Sequence, residues 1–324
     1  MVTPSPNRIE RTGDDTPAAT LYGYVWRMSG GHQAGLSLVA IVVAALSMAP
    51  LELQRRIVND AIGGSDVRLL AILGVLYLAV MLLEAGLKFF LHLYQGWVGE
   101  SAIRYTRLHL ARLNAEHRRA EATPDDNGGG RAVSIIGGEV EKLGGFVGES
   151  VSEPLVSAGT LIAILGYMLV MEPLLALISL CFLAPQAIAA PLIQRLVNRL
   201  VERRVGLLRD MGEQVAAETG QESGQQSSGG DYGPSLESIY RNRIKIYFWK
   251  FAGKGATNLM NNLASLSALV VGGYLVTRGE TTLGVVVAFV SGFDRLVDPS
   301  RQLLTFYRIM EQTRVQHRMI ARWM

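Results

Sequence analysis

The fold is decided by the stretch VRLLAILGVLYLAVMLLEAGLKFFLHLYQGWVGESAIRYTRLHLARLNAEHRR, residues 67–119. Its first half is apolar, its second half is polar and basic, and no proline interrupts it. As a single helix, with a rise of 1.5 Å per residue, it would be about 80 Å long. The hydrocarbon core of a bilayer is only about 30 Å thick. We therefore expect a helix that crosses a membrane and continues far beyond it.

The rest of the chain has the composition of an integral membrane protein. Of its 324 residues, 49% are hydrophobic and 18% are charged, and the apolar residues fall in blocks of membrane-spanning length. They predict an all-α membrane protein with six transmembrane helices and long cytoplasmic helical extensions. The predicted spans are about 34–53, 67–95, 151–170, 174–196, 259–276 and 283–297. Residues 1–20 are predicted to be a disordered tail, and residues 21–324 a single membrane domain.

The positions of the basic residues predict the orientation in the membrane. Of the 31 lysine and arginine residues, 26 lie before Ala34, in 95–150, in 195–255 or from Arg295 onward. The short connections between these segments carry few. By the positive-inside rule both termini are cytoplasmic, in what we predict to be a bacterial inner membrane. The net charge of +3 therefore reflects membrane orientation, and we expect no nucleic-acid partner.

Prolines and glycines predict how the spans are connected. The long helix should end near Pro124, because proline lacks the backbone donor that a helix needs. Met171, Glu172 and Pro173 leave room only for a tight outer hairpin between the third and fourth spans. Pro185 and Pro191 should kink the fourth span, which membrane helices tolerate.

Three motifs resemble the transmembrane domain of exporter-type ABC transporters. The most specific is GGYLVTRGETTLGVVVAFVSGFDRLVDPSRQL (272–303), since that family has a similar turn before its last span and often a proline at the end of that span. APLELQRRIVNDAI (49–62) resembles the proline and acidic outer loop that end the family's first span. NGGGRAVSIIGGEVEKL (127–143) resembles the stretch after the first inner turn, although the family usually has aspartate where Glu139 stands. The resemblance covers about 20–324.

The resemblance implies a permease subunit of an ATP-driven exporter. Such a six-span chain pairs with a second, identical or different, to form the substrate pathway, and its two inner turns dock on ATPase domains. The residues carried over to those turns are Pro124, Asp125, Asp126 and Asn127 in the first and Gly220 and Glu222 in the second. ATP and magnesium are expected on the ATPase partner. The alternative is a transport-inactive membrane anchor or regulator that keeps the exporter fold.

The sequence contains no motif for ATP hydrolysis or for another catalytic centre. A phosphate loop of the form G-x-x-x-x-G-K-[ST] does not occur, and we predict that this chain is not an enzyme and that hydrolysis belongs to a separate or missing ATPase domain. The single cysteine, Cys181, excludes an intrachain disulfide, and no Cys/His cluster indicates a metal site.

Polar residues within the spans are the candidates for the substrate pathway. Glu84 and Lys88 lie at i, i+4 on one face of the second span, either as a mutually neutralising pair or as substrate contacts. Asn258, Asn261 and Asn262, at the inner end of the fifth span, either line a cavity or hydrogen-bond between helices. Pathway walls of Leu, Val, Ala and Met do not identify a substrate.

Further charges lie near the ends of the spans. Arg55, Arg56, Asn59 and Asp60 are interpreted as a solvated loop or an interface anchor at the outer mouth, or as an exit that selects ions. The charged residues of the sixth helix, Asp294, Arg295, Asp298 and Arg301, are interpreted as an intracellular salt-bridge network.

Overall fold

The computed structural model describes residues 20–120, 135–219 and 232–323. Within these ranges the chain forms helices joined by turns, and it forms no strand. The helices are α1 (Leu21–Leu46), α2 (Ala49–Arg56), α3 (Val67–Ala120), α4 (Val140–Glu149), α5 (Ser152–Met171), α6 (Pro173–Thr219), α7 (Gly233–Thr277) and α8 (Leu283–Trp323), with π-helical turns at Ile57–Ile62 and Ile135–Glu139. The predicted all-α architecture is confirmed.

The long helix predicted over 67–119 is present as α3, which runs for 54 residues from Val67 to Ala120. Its start is fixed by Asp66, whose Oδ1 accepts hydrogen bonds from the backbone N–H groups of Arg68 (2.9 Å) and Leu69 (3.0 Å). These bonds satisfy donors that the first turn of a helix otherwise leaves free. At 1.5 Å per residue α3 is about 80 Å long, so most of its length lies outside the hydrocarbon core.

Five helical segments of the described chain are long and apolar enough to cross a membrane. They are Leu21–Ile62, Val67–Arg112, Ser152–Met171, Pro173–Val215 and Gly233–Thr277. The sixth predicted span, 283–297, is helical within α8, but α8 is not among these five. The reason is that Asp294, Arg295 and Asp298 interrupt its apolar stretch after Phe293.

The first predicted span, 34–53, is divided between two helices. α1 ends at Leu46 and α2 begins at Ala49, with Pro50 in its first turn, where a missing backbone donor costs nothing. Earlier in α1 the chain kinks at Gly30, whose φ of 34° and ψ of −112° lie outside the helical region. A positive φ is accessible to glycine without steric cost. This kink separates the aromatic segment that begins at Leu21 from the span.

The outer connections are as short as predicted. α5 ends at Met171, Glu172 is extended (φ −155°, ψ 93°), and α6 begins at Pro173. α6 then continues through Pro185 and Pro191 as one helix. The predicted short connection is confirmed, and neither proline ends the helix that contains it.

The chain divides into two compact units. The first comprises the described residues up to Ala176 and from Gly272 onward, and the second comprises Leu177–Val271, which is most of α6 and α7. Within the second unit, Asn242 donates a hydrogen bond from Nδ2 to the Leu200 carbonyl oxygen at 2.8 Å. This side chain is buried and ties α6 and α7 together.

Three predicted features lie outside the described residues. They are nearly all of the tail 1–20, the first inner turn within 121–134 and the Gly/Ser/Gln-rich second inner turn within 220–231.

In the first unit the inner half of α3 packs closely against α4. Val98, Ala102, Ile103 and Leu110 of α3 share a buried cluster with α1, with α4 and with Ile320 at the end of α8. The helices approach so closely that a Cβ at Gly148 would overlap the Gln95 carbonyl oxygen, and a Cβ at Gly144 would overlap the Ile103 side chain. Small residues at a helix crossing allow this approach. The inner half of α3 is therefore held by α1 and α4.

We predict that Gly148→Ala destabilises the protein by about 1–3 kcal/mol, the usual cost of overpacking. The added methyl group meets backbone atoms of Gln95, which cannot move aside as a flexible side chain can. Thermal unfolding of the detergent-solubilised chain measures the effect. Gly145→Ala is the matched control, because a Cβ there meets nothing within 4 Å, and alanine is the better helix former by about 1 kcal/mol. Equal unfolding temperatures for the two variants would contradict the packing described here.

Candidate functional site

An ion cluster lies within the membrane part of the first unit. Lys88 Nζ lies 2.7 Å from Glu84 Oε1, and Arg295 Nη1 lies 3.4 Å from Glu84 Oε2. Glu84 is only 7% exposed. The predicted pairing of Glu84 with Lys88 is confirmed, and the structure adds a second cation from α8.

The helical repeat of α3 explains why Glu84 is buried. Leu73, Glu84, Leu91, Gln95 and Val98 are all buried and recur at helical spacings, so they form one face of α3. Lys88 lies at the edge of this face, and its side chain remains 46% exposed. Because an isolated carboxylate at this depth would be costly, Glu84 depends on its two cationic partners.

Arg295 is the functional candidate whose partner sequence reasoning did not identify. It was grouped with the neighbouring charges of α8 as part of an intracellular salt-bridge network, but its contact is with Glu84 in the second span. The sequence signal for an intramembrane position was the distance of Arg295 from the start of α8, which is about 18 Å at 1.5 Å per residue. That places it within the thickness of the hydrocarbon core.

The asparagines of the fifth span lie in the second unit. Asn261 accepts a hydrogen bond at Oδ1 from Gln186 Nε2 at 2.8 Å, which joins α7 to α6. This is the helix–helix hydrogen bond that was one of the two interpretations. Asn258 and Asn262 are exposed. Glu84 and Lys88 thus belong to one unit and the three asparagines to the other.

At the outer end of α2, Glu52 is the centre of a second ion cluster. Arg55 donates to both of its carboxylate oxygens, at 2.8 and 2.7 Å, and Arg56 donates to Oε1 at 2.6 Å. The Tyr167 hydroxyl donates to Oε2 at 3.0 Å and so links α5 to α2. Arg55 and Arg56 lie in α2 rather than in a loop, and both hold a partly buried carboxylate that the sequence did not single out.

Asn59 joins this outer region to the start of α8. Its Oδ1 accepts a hydrogen bond from the Gly284 backbone N–H at 2.8 Å, and its Nδ2 donates to Thr282 Oγ1 at 2.7 Å. A Cβ at Gly284 would overlap the Arg55 carbonyl oxygen and the Asn59 side chain. The glycine after Leu283 in the quoted motif is therefore required by this close approach. Asp60 is exposed, as expected for an outer loop.

Comparison with known proteins decides the family. A family model described as the ABC transporter transmembrane region matches residues 34–214 and 231–300. The chain belongs to the ABC transporter transmembrane-region family. It is also 21% identical, over 292 residues, to a protein of Bacillus subtilis (strain 168) named "Putative multidrug export ATP-binding/permease protein YgaD". The match covers 85% of this chain and 49% of that protein, so the chain spans about half the length of the curated relative.

As an ABC transporter membrane region, the chain is an integral membrane protein with a permease role. The residues carried over to ATPase docking lie outside the described part of the chain; they are Pro124, Asp125, Asp126, Asn127, Gly220 and Glu222. Across the described residues there is no group of three or more His, Cys, Asp or Glu side chains arranged to hold a metal ion.

We predict that Arg295→Ala lowers the free energy of unfolding of this ABC transporter membrane region by about 1.5–3 kcal/mol, the usual worth of a hydrogen bond to a charged group. The variant leaves Glu84 Oε2 without its partner from α8. Thermal unfolding in detergent measures the loss, and Arg295→Lys should recover part of it. Arg301→Ala, which removes an exposed arginine of the same helix, is the control; if both alanine variants unfold at the same temperature, the cluster does not stabilise the protein.

Proposed function

We propose that the chain is the permease subunit of an ATP-driven exporter. In this proposal two six-helix subunits, identical or different, form the substrate pathway, and each couples to an ATPase domain through the inner turns within 121–134 and 220–231. Family membership supports the permease role. The relative from Bacillus subtilis, whose printed name joins ATP binding to a permease, supports the ATPase partnership. ATP and magnesium then bind to the ATPase domain, and this chain is not itself an enzyme.

The observation that carries the proposal is the length and continuity of α3. One helix of 54 residues connects the intramembrane cluster at Glu84 with the edge of the first inner turn. About 30 Å of its roughly 80 Å suffices to cross the hydrocarbon core. A helix that served only as a membrane anchor would not need the remaining length. The extension suits a rigid connection between a cytoplasmic ATPase and the membrane.

The packing around α3 supports transmission of force. Its inner half shares a buried cluster with α1, α4 and the end of α8, and the close contacts at Gly144 and Gly148 leave little room for sliding. A push on the first inner turn would therefore move these segments together. In the proposed cycle, ATP binds the closed arrangement of the ATPase domains more tightly, and the pathway changes from inward-facing to outward-facing by rigid-body motion.

We expect the full-length protein, affinity-purified from the membranes of its own host, to contain an ATPase domain that is photolabelled by 8-azido-ATP after vanadate trapping. The label should lie either on the same polypeptide or on a partner protein. Such a partner should not be recovered when the same purification is done from a strain that lacks this chain. Mass photometry of the same sample in nanodiscs should show two copies of the six-helix domain. A purified protein with neither an ATP-labelled domain nor a second membrane subunit would favour the anchor or regulator and overturn the proposal.

We also predict that the double substitution Asp125→Ala, Asp126→Ala lowers the ATPase activity of that complex severalfold without dissociating the membrane dimer. The two carboxylates belong to the turn that the proposal assigns to ATPase docking. Asp60→Ala is the control, because Asp60 is an exposed acidic residue near the outer end and lies far along the chain from either inner turn. An unchanged rate in the Asp125, Asp126 variant would contradict coupling through the first turn.

A further inference from the structure

The ion cluster contains two cations and one carboxylate. Each oxygen of Glu84 already has a partner, since Oε1 contacts Lys88 and Oε2 contacts Arg295. Arg295 alone would neutralise Glu84, and so would Lys88 alone. Counted over these three contacting groups, with the neighbouring Asp294 and Asp298 of α8 left out, the cluster carries one positive charge more than its internal pairing requires.

Lys88 holds the accessible part of this surplus charge. Its side chain is 46% exposed, against 28% for Arg295 and 10% for Glu84. An ammonium group has three N–H donors, and among the described residues Glu84 is the partner that Lys88 contacts. The remaining donors of Lys88 are directed away from the carboxylate.

The direction of Lys88 is also unusual for a lysine near the inner end of a span. Such lysines commonly extend toward the nearer interface, where water solvates the charge. Lys88 instead reaches back one turn toward the start of α3, to Glu84, as helical side chains tend to point. The salt bridge thus holds the ammonium group at membrane depth.

Beyond Glu84, the exposed neighbours of Lys88 toward the start of α3 are apolar, whereas the exposed His92 lies one turn away on the other side. Met81 and Ala85, seven and three residues earlier on the same side of the helix, are exposed. On α8, Asp294 and Asp298 are exposed beside Arg295, but Lys88 has no contact with either. A ligand at this site would meet a cation beside an apolar strip.

We infer that Lys88 binds the anionic group of an amphiphilic ligand, a carboxylate, sulfate or phosphate, whose apolar part lies along Met81 and Ala85. The inference names the substrate class of the proposed exporter and rests on that proposed function only for the step from binding to transport. Glu84 and Arg295 position the ammonium group. An arriving anion neutralises the charge of Lys88 that Glu84 shares with Arg295, which favours anionic over cationic amphiphiles.

The test is a binding measurement on the full chain in nanodiscs of phosphatidylcholine, with two fluorescent probes of equal apolar length. The probes are 11-dansylaminoundecanoate and the corresponding dansyl amine, one anionic and one cationic. We expect the protein to bind the carboxylate roughly tenfold more tightly than the amine, which is about 1.4 kcal/mol. Lys88→Gln should abolish this preference, whereas Lys88→Arg should keep it.

Lys142→Gln is the matched control, because it removes an exposed lysine on α4 outside the cluster and should leave the preference unchanged. Lys88→Gln is expected to fold, since Arg295 remains to pair with Glu84, and size-exclusion chromatography checks this. If it does not fold, Lys88→Met and the comparison of the two probes on the unaltered protein still decide the matter. Equal affinity for both probes, or an unchanged preference in Lys88→Gln or Lys88→Met, overturns the inference.

A further arm distinguishes the two sources of an anionic amphiphile. Nanodiscs containing phosphatidylglycerol supply an anionic lipid in the bilayer; displacement of the carboxylate probe there identifies the ligand as a lipid, and retention identifies it as a free amphiphile. Both results support an anion site at Lys88. Because this binding assay needs no ATPase, its failure is distinguishable from failure of the proposed transport function.

Discussion

The hydrocarbon core of a bilayer offers no hydrogen-bond partner to a peptide group, and the rest of this structure depends on that constraint. It requires each span to be helical, and helices once formed continue for as long as the sequence permits. α3 continues for 54 residues, and no proline occurs between Val67 and Pro124. α6 and α7 likewise run for 47 and 45 residues. The part of the described chain outside the membrane is thus built mainly by extending membrane helices.

Helices that meet in an apolar medium gain little from hydrophobic burial, so their contacts depend on close packing and on polar pairs. Both are present here at different depths. Glycines bring α3 and α4 together on the inner side, Glu84 and Arg295 connect α3 with α8 within the membrane, and Glu52 connects α2 with α5 near the outer end. Each polar pair satisfies a group that would be costly if left alone.

Much of the fold followed from the sequence, because apolar block length and helix-breaking residues act locally. The long helix that begins at Val67 and the short connection at Glu172 were both predicted from such signals. The candidate site followed only in part. The pairing of Glu84 with Lys88 is local, at i, i+4, whereas Arg295 reaches Glu84 from 211 residues away. No periodicity within either helix indicates which faces meet.

Sequence patterns do not show which segments meet, and for the same reason the contacts of Arg55 and Asn59 at the outer end were not predicted. Arg55 and Asn59 have the composition of a solvated loop, and only the fold shows that Gly284 lies against them. Glu52 was overlooked because its partners, Arg55, Arg56 and Tyr167, come from two helices. The available sequence signal for this cluster was the position of Glu52 three and four residues before Arg55 and Arg56, at the end of a predicted span.

The hydrogen bonds of Asn59 to Thr282 and Gly284 restrict how the molecule can open toward the outside. They fasten the end of the first membrane segment to the start of the last helix, although the two are more than 200 residues apart in the chain. While these bonds persist, the turn that contains Asn59 and the start of α8 move together. Any gap at the outer face then has to form between other segments. An outward-opening motion that keeps these two hydrogen bonds therefore leaves the turn Ile57–Ile62 joined to the start of α8.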